Sequence, residues 1–133
     1  MKPLADADRC PCNSGDIFAE CCGRFLHGTQ SAPTAQALMR SRYTAFACGH
    51  VEYLMKSWHP STRPDELELE AGMIWRRLVI EDASAGGPFD TQGTVTFSAY
   101  YLLDGQKGVQ QELSRFVRED GQWFYLDGVE PGQ

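Results

Sequence analysis

Four cysteines in two tight pairs constrain this chain more than any other feature: Cys10-Pro11-Cys12, then eight residues, then Cys21-Cys22. Thiolates are soft ligands, and zinc takes four of them at about 2.3 Å in a closed tetrahedron that leaves no position for water. Pro11 stiffens the first pair. Asn13, Ser14 and Gly15 make a tight turn after it, whose N–H groups can point at the sulfurs, and Gly23 releases the chain from the second pair. Unconnected thiols are the bland alternative, but four of the five cysteines fall within 13 positions. A redox pair is disfavoured because there is no C-x-x-C and vicinal cysteines would close only a strained ring. A catalytic zinc needs an open coordination position, which four cysteines do not leave. The residues therefore point to a structural zinc site on Cys10, Cys12, Cys21 and Cys22, with Cys48 apart as a buried thiol.

Thiols kept free for metal imply a reducing compartment, and Met1 to Arg9 lacks the apolar stretch of a secretory signal, so a cytoplasmic protein is expected. No apolar run approaches the roughly 18 residues of a membrane span, so no membrane partner is expected. At 133 residues there is room for one compact domain plus a small appendage. The net charge of -6 makes the whole chain a poor binder of phosphate backbones. Only residues 28–63 run the other way, with Arg40, Arg42, Lys56 and Arg63 against Glu52. Contact with RNA or a ribosome would need Arg40, Lys56 and Arg63 on one exposed face.

Beyond the cysteines the hydrophobic pattern becomes helical. Thr34 can cap a helix with Ala35, Leu38, Met39, Tyr43, Phe46 and Ala47 on its buried stripe and Gly49 at its end. A second helix is predicted over about His50 to Trp58, stopped by Pro60. Residues 61–72 form an acidic connection. The period then changes to two: strands are predicted over Met73–Asp82, Thr91–Leu103, Gly108–Arg118 and Trp123–Asp127, with turns at Asp104-Gly105 and Asp120-Gly121. Helices first and a strand meander afterwards is an α+β order.

Two resemblances attach to these residues. CPCNSGDIFAECCG resembles the SEC-C motif, the zinc knuckle that ends the SecA preprotein translocase ATPase, with Cys22 where the translocase has His. That likeness implies the same four cysteines as ligands and, by analogy with the translocase, docking to a protein or the ribosome. ALMRSRYTAF, SWHPSTR and QELSRFVREDGQWFYLDG resemble the YchJ-like family of bacterial proteins, which couple a SEC-C knuckle to an NTF2-like domain. One departure is Gln111, where the family pattern has His. The resemblance implies a knuckle over residues 1–27 and, over 28–133, an NTF2-like cone of helices against a curved, mainly antiparallel sheet.

Such a cone can enclose a cavity. Its candidate lining is Arg42, Tyr43, His59, Trp75, Tyr101, Glu112, Arg115, Trp123, Tyr125 and Asp127. A buried Arg42 is expected to meet a carboxylate, Glu112 first and Asp127 second. His59, before Pro60, reads as a helix cap, and no catalytic residue is assigned. The leading expectation is a binding or adaptor module working through the knuckle. The competing one is an enzyme or small-molecule binder using the cavity, with His59, Glu112 or Asp127 as acid or base. An adaptor should have a filled cone, and an enzyme a deep open pocket holding a titratable group of perturbed pKa.

Overall fold

The computed structural model describes residues 4–130. The parts of the expected segments 1–27 and 28–133 that fall on residues 1–3 and 131–133 lie outside the described residues. An isolated antiparallel bridge between Arg9 and Ile17 closes the loop that carries the first cysteine pair. A 3-10 turn, Phe18–Glu20, and a single-turn helix α1, Gly23–Leu26, carry the chain past the second pair. Gly23 is obligatory there, because a Cβ would stand 2.6 Å from the carbonyl oxygen of Phe18.

The long helix α2, Ala35–Cys48, begins and ends as its sequence predicts. Thr34 accepts the Ala37 N–H on its side chain at 3.0 Å, and Gly49 takes the left-handed conformation (φ 78°) that a side chain would strain. Its inward face is broader than the apolar stripe, for Ser41, Arg42 and Thr44 are buried along with Leu38, Met39 and Tyr43. Helix α3 is shorter than expected and covers only Val51–Lys56. His50 caps it by accepting the Tyr53 N–H on Nδ1. It stops early because the last strand claims the backbone that follows: Tyr125 N–H donates to Ser57 and His59 N–H donates to Tyr125, at 2.9 and 2.8 Å. No helix among the described residues is long and apolar enough to cross a membrane.

Four strands follow: β1 Met73–Ala85, β2 Gln92–Leu103, β3 Gln106–Glu119 and β4 Gln122–Val129. They pair antiparallel in the order β1-β2-β3-β4. β1 runs three residues past the predicted Asp82, because Ala83, Ser84 and Ala85 continue the ladder against Val95, Thr94 and Gly93. Both hairpin turns have positive φ at their two central residues, 50° and 84° at Asp104-Gly105, 52° and 76° at Asp120-Gly121. That geometry matches the right-handed twist of the strands. Irregularities in β1 at Trp75/Arg77 and Ile80/Asp82, and between β3 and β4 at Arg115/Phe116, bend the sheet.

Helix α2 packs on the concave face, where Val95, Phe97 and Ala99 of β2 meet Leu78, Phe116 and Trp123 in the core. On the other face Ser98 is also buried, held between Glu81 and Gln111. The buried cluster does not end at the domain: Cys10, Cys12, Cys21 and Cys22 belong to it. Arg40 of α2 donates to the Cys12 carbonyl at 2.7 Å, and the Leu78 N–H of β1 donates to Asn13 Oδ1 at 2.7 Å. The architecture is α+β, helices over a curved antiparallel sheet with a cysteine knuckle at its head.

Candidate functional site

The knuckle brings the four cysteine sulfurs within 4.8 Å of one another. A tetrahedron with 2.3 Å metal–sulfur bonds has edges of about 3.8 Å, so the cluster matches a tetrathiolate centre with little adjustment. All four side chains are buried. Ser14 Oγ lies 3.1 Å from Cys21 Sγ, and Thr44 Oγ1 of α2 lies 3.7 Å from Cys10 Sγ. Two hydroxyls thus attend the sulfurs, one from the knuckle and one from α2.

The thiols oppose one another electrostatically. Hydrogen bonds from Cys10, then Cys22, hold the Cys12 thiol far below the ordinary range. Hydrogen bonding to Cys10 and Cys12 pushes Cys22 far above it, and burial pushes Cys21 up to about 11. Four thiolates this close repel one another, which a divalent cation at their centre would offset. Cys10, Cys12, Cys21 and Cys22 could therefore hold a metal ion.

The second site is the cone. A cavity of about 260 Å³ opens between α2 and the sheet, lined in part by Arg42, Tyr43, Trp75, Glu112 and Tyr125. This lies just below the roughly 300 Å³ at which the range for ligand sites begins. Trp75 meets Tyr43 edge-on at 5.9 Å and Phe46 at 6.3 Å, which builds one aromatic wall. Opposite it Glu112 is held in place: Ser114 Oγ–H and Tyr125 Oη–H both donate to Oε2, at 2.5 and 3.2 Å. Burial first, and the Glu112 charge next, push the Tyr125 phenol up, so it stays a donor. Gly128 makes the space, since a Cβ there would fall 2.1 Å from the Glu112 Cδ.

Arg42 is buried, but it meets no carboxylate among the described residues. Its Nη1 donates to the Leu54 carbonyl at 2.8 Å and to Ser57 Oγ at 2.6 Å, and its guanidinium lies 4.4 Å from the Tyr125 ring centre and 5.1 Å from that of Trp58. Burial pulls it down to about 10, against the raising influence of Tyr125, Tyr53 and Glu112, so it remains a cation at neutral pH. The expected pairing with Glu112 or Asp127 is thereby corrected: carbonyl, hydroxyl and π-faces do the work of a counter-ion.

Five of the sequence candidates do not line this cavity. Arg115 and Asp127 form a bidentate ion pair on the outer face. Strand alternation already sets Arg115 opposite Glu112, and the irregularity beside Phe116 turns Asp127 outward as well, leaving Gly128 inward. Tyr101 packs on Trp75 at 5.4 Å and closes over Gly108, beyond the cavity. Trp123 is buried deeper, its indole N–H on the Pro33 carbonyl at 3.2 Å. His59 is neither a cap nor a cavity base; its Nε2 meets Glu119 at 2.9 Å and its Nδ1 meets Ser61. Ser114, Gln110 and Trp58 line the cavity without having been singled out. The first two share a strand face with Glu112 by simple alternation, which is the signal that could have found them. Trp58 Nε1 is buried with no hydrogen-bond partner among the described residues. Of the basic trio, Arg40 is committed to Cys12 and Arg63 to the Trp58 carbonyl at 2.7 Å.

Comparison with known proteins covers both sites. Residues 34–128 match the family described as YchJ, middle NTF2-like domain, and residues 7–24 match the SEC-C motif. A UPF0225 protein of Streptomyces coelicolor is 52% identical over 119 residues, covering 90% of this chain and 93% of that one. One from Corynebacterium glutamicum is 51% identical over 120 residues, 90% and 95% of the two chains. The solution structure of a SEC-C motif containing protein from Rhodopseudomonas palustris superposes with a TM-score of 0.80 at 30% identity, covering 91% of this chain and 97% of that one. The chain belongs to the YchJ-like UPF0225 family, a SEC-C motif joined to an NTF2-like domain.

Proposed function

We propose that this protein binds a small molecule in its NTF2-like cone, and that one zinc ion on Cys10, Cys12, Cys21 and Cys22 is a structural centre that holds the head of the cone. The observation that carries this reading is the organised carboxylate. Glu112 lines an open apolar cavity, and Ser114, Tyr125 and the missing side chain of Gly128 hold it there. A filled cone, which an adaptor calls for, would need none of that. Binding is preferred to turnover because His59 and Asp127, the expected acids or bases, are engaged with Glu119 and Arg115 instead. Zinc is preferred to other metals because four thiolates in a closed shell suit its softness and tetrahedral habit. A tetrathiolate site also calls for a reducing, cytoplasmic compartment.

Protein purified under reducing conditions should carry one zinc per chain by elemental analysis. A screen of aromatic fragments followed by amide chemical shifts should find ligands that move the Tyr43, Trp75 and Glu112 signals. Metal-free protein that stays folded, or a screen to millimolar concentration without a cavity binder, would refute the respective half. Docking of a protein or ribosome to the knuckle is the second reading, favoured by a shallow groove along Leu4, Phe18, Leu26 and Val51. Unchanged association of a Val51→Asp variant with purified ribosomes or a defined partner would dismiss it.

A further inference from the structure

The charges that face the cone select the class of ligand it takes. One basic and one acidic side chain line the cavity, Arg42 and Glu112, and no ion pair joins them among the described residues. Arg42 is already engaged on one edge by Leu54 and Ser57 and faces the rings of Tyr125 and Trp58. Glu112 is engaged on one oxygen only: Ser114 and Tyr125 both donate to Oε2, which uses its two lone pairs and leaves Oε1 as the acceptor toward a ligand.

We infer that the cone takes a neutral, planar aromatic molecule carrying one N–H or O–H donor, seated with that donor on Glu112 Oε1 and its ring against Tyr43 and Trp75. The inference rests on the reading of the cone as a binding site. Arg42 and Glu112 balance each other across an apolar cavity, so a neutral guest keeps the balance. A cationic guest adds a second positive charge beside Arg42, and an anionic one a second negative charge beside Glu112. Either leaves a buried charge uncompensated, which costs affinity by orders of magnitude. A guest of the same shape without a donor covers Oε1 and gives it nothing in return, the expensive way to treat a buried acceptor. The volume of about 260 Å³ suits a bicyclic ring, and the edge-on Tyr43 and Trp75 rings offer both faces and edges for it to pack against.

The test uses the zinc-loaded full chain and four probes of one ring system: indole, 1-methylindole, tryptamine and indole-3-carboxylate. Affinities are read from amide shifts of Tyr43, Trp75 and Glu112. Indole should bind about tenfold tighter than 1-methylindole, which has lost the donor, and also tighter than the cation and the anion. The indole to 1-methylindole ratio should fall to about one in Glu112→Met. Should that variant not fold, 15N-labelled indole on the wild type gives the same answer, since its N–H proton should move downfield on binding to a carboxylate. Tighter binding of tryptamine or indole-3-carboxylate, or equal binding of 1-methylindole, overturns the ligand class and leaves the binding reading standing. Failure of all four probes to move the cavity signals also overturns the ligand class, and the binding reading falls with it when the fragment screen finds no cavity binder either.

Discussion

Replacing Arg42 by Met tests how a buried guanidinium survives without a counter-ion. The variant keeps the length and apolar stem of the side chain but removes the two donated hydrogen bonds to Leu54 and Ser57 and the approach to Tyr125 and Trp58. Hydrogen bonds from a charged donor contribute about 2 kcal/mol each and desolvated cation–π contacts about 2 kcal/mol each, so some 8 kcal/mol of gross attraction is lost. Against this stands the desolvation of the guanidinium, whose effect net of Tyr125, Tyr53 and Glu112 pulls Arg42 down to about 10, equivalent to about 3 kcal/mol. The net expectation is a loss of about 5 kcal/mol, or about 15 to 20 °C in melting temperature for a domain of this size. Urea unfolding of the zinc-loaded protein, followed by far-UV circular dichroism, measures it. A second arm separates this account from an Arg42–Glu112 pair. Adding Glu112→Gln to Arg42→Met should restore less than about 1 kcal/mol, because no hydrogen bond joins the two side chains and their charges act on each other only across the cavity. Recovery of more than about 1 kcal/mol in the double variant, or a loss below about 1 kcal/mol in the single one, would refute the reasoning.

Three further outcomes are expected. Chelating the metal, or changing Cys12 to Ser, should lower the stability of the whole chain and not of the knuckle alone, since the cysteines share the core and Asn13 holds the Leu78 amide; early loss of hydrogen-exchange protection at Leu78 is the sign to look for. Gly128→Ala should swing the Glu112 carboxylate away, because the new Cβ would overlap it, and should weaken the binding of any cavity ligand that Glu112 reads, while urea unfolding shifts by less than for Arg42→Met. The hydrogen bond from Arg115 holds Asp127 below its ordinary 3.8, so the pair's contribution is present above that pH and is lost as pH falls through the lowered folded value. An NMR titration should place Asp127 below 3.8, and Asp127→Asn should flatten the acid limb of the stability curve slightly, the pair being exposed.

The parts that were legible in the sequence are those decided by local chemistry. Thr34 and Gly49 bracket α2 because a side-chain acceptor and a left-handed residue are needed at those ends whatever packs on the helix. Four soft donors in two close pairs announce a shared centre before any fold is known. The cone was half legible. Glu112 and Tyr125 were found, but an irregularity of one residue in β4 sent Asp127 to the opposite face, and a bulge of that kind leaves no mark in a period-two pattern. Arg42 was legible as a buried cation and not as a partner of Ser57 and Leu54. Those acceptors are supplied by the way α3 turns into the chain that β4 claims, which is a tertiary event. The same event shortened α3 against its own helical pattern.

Asn13 has a consequence beyond the bond it accepts. β1 is the first strand of the sheet, with β2 on one side only, so its outward N–H and C=O groups are the ones another chain could pair with. The metal loop lays the Asn13 amide oxygen on one of those groups, at Leu78, in the middle of the strand. An ion held by the four cysteines would brace the loop that covers this strand edge, so stripping the metal is expected to raise aggregation, read by light scattering, ahead of any loss of circular dichroism.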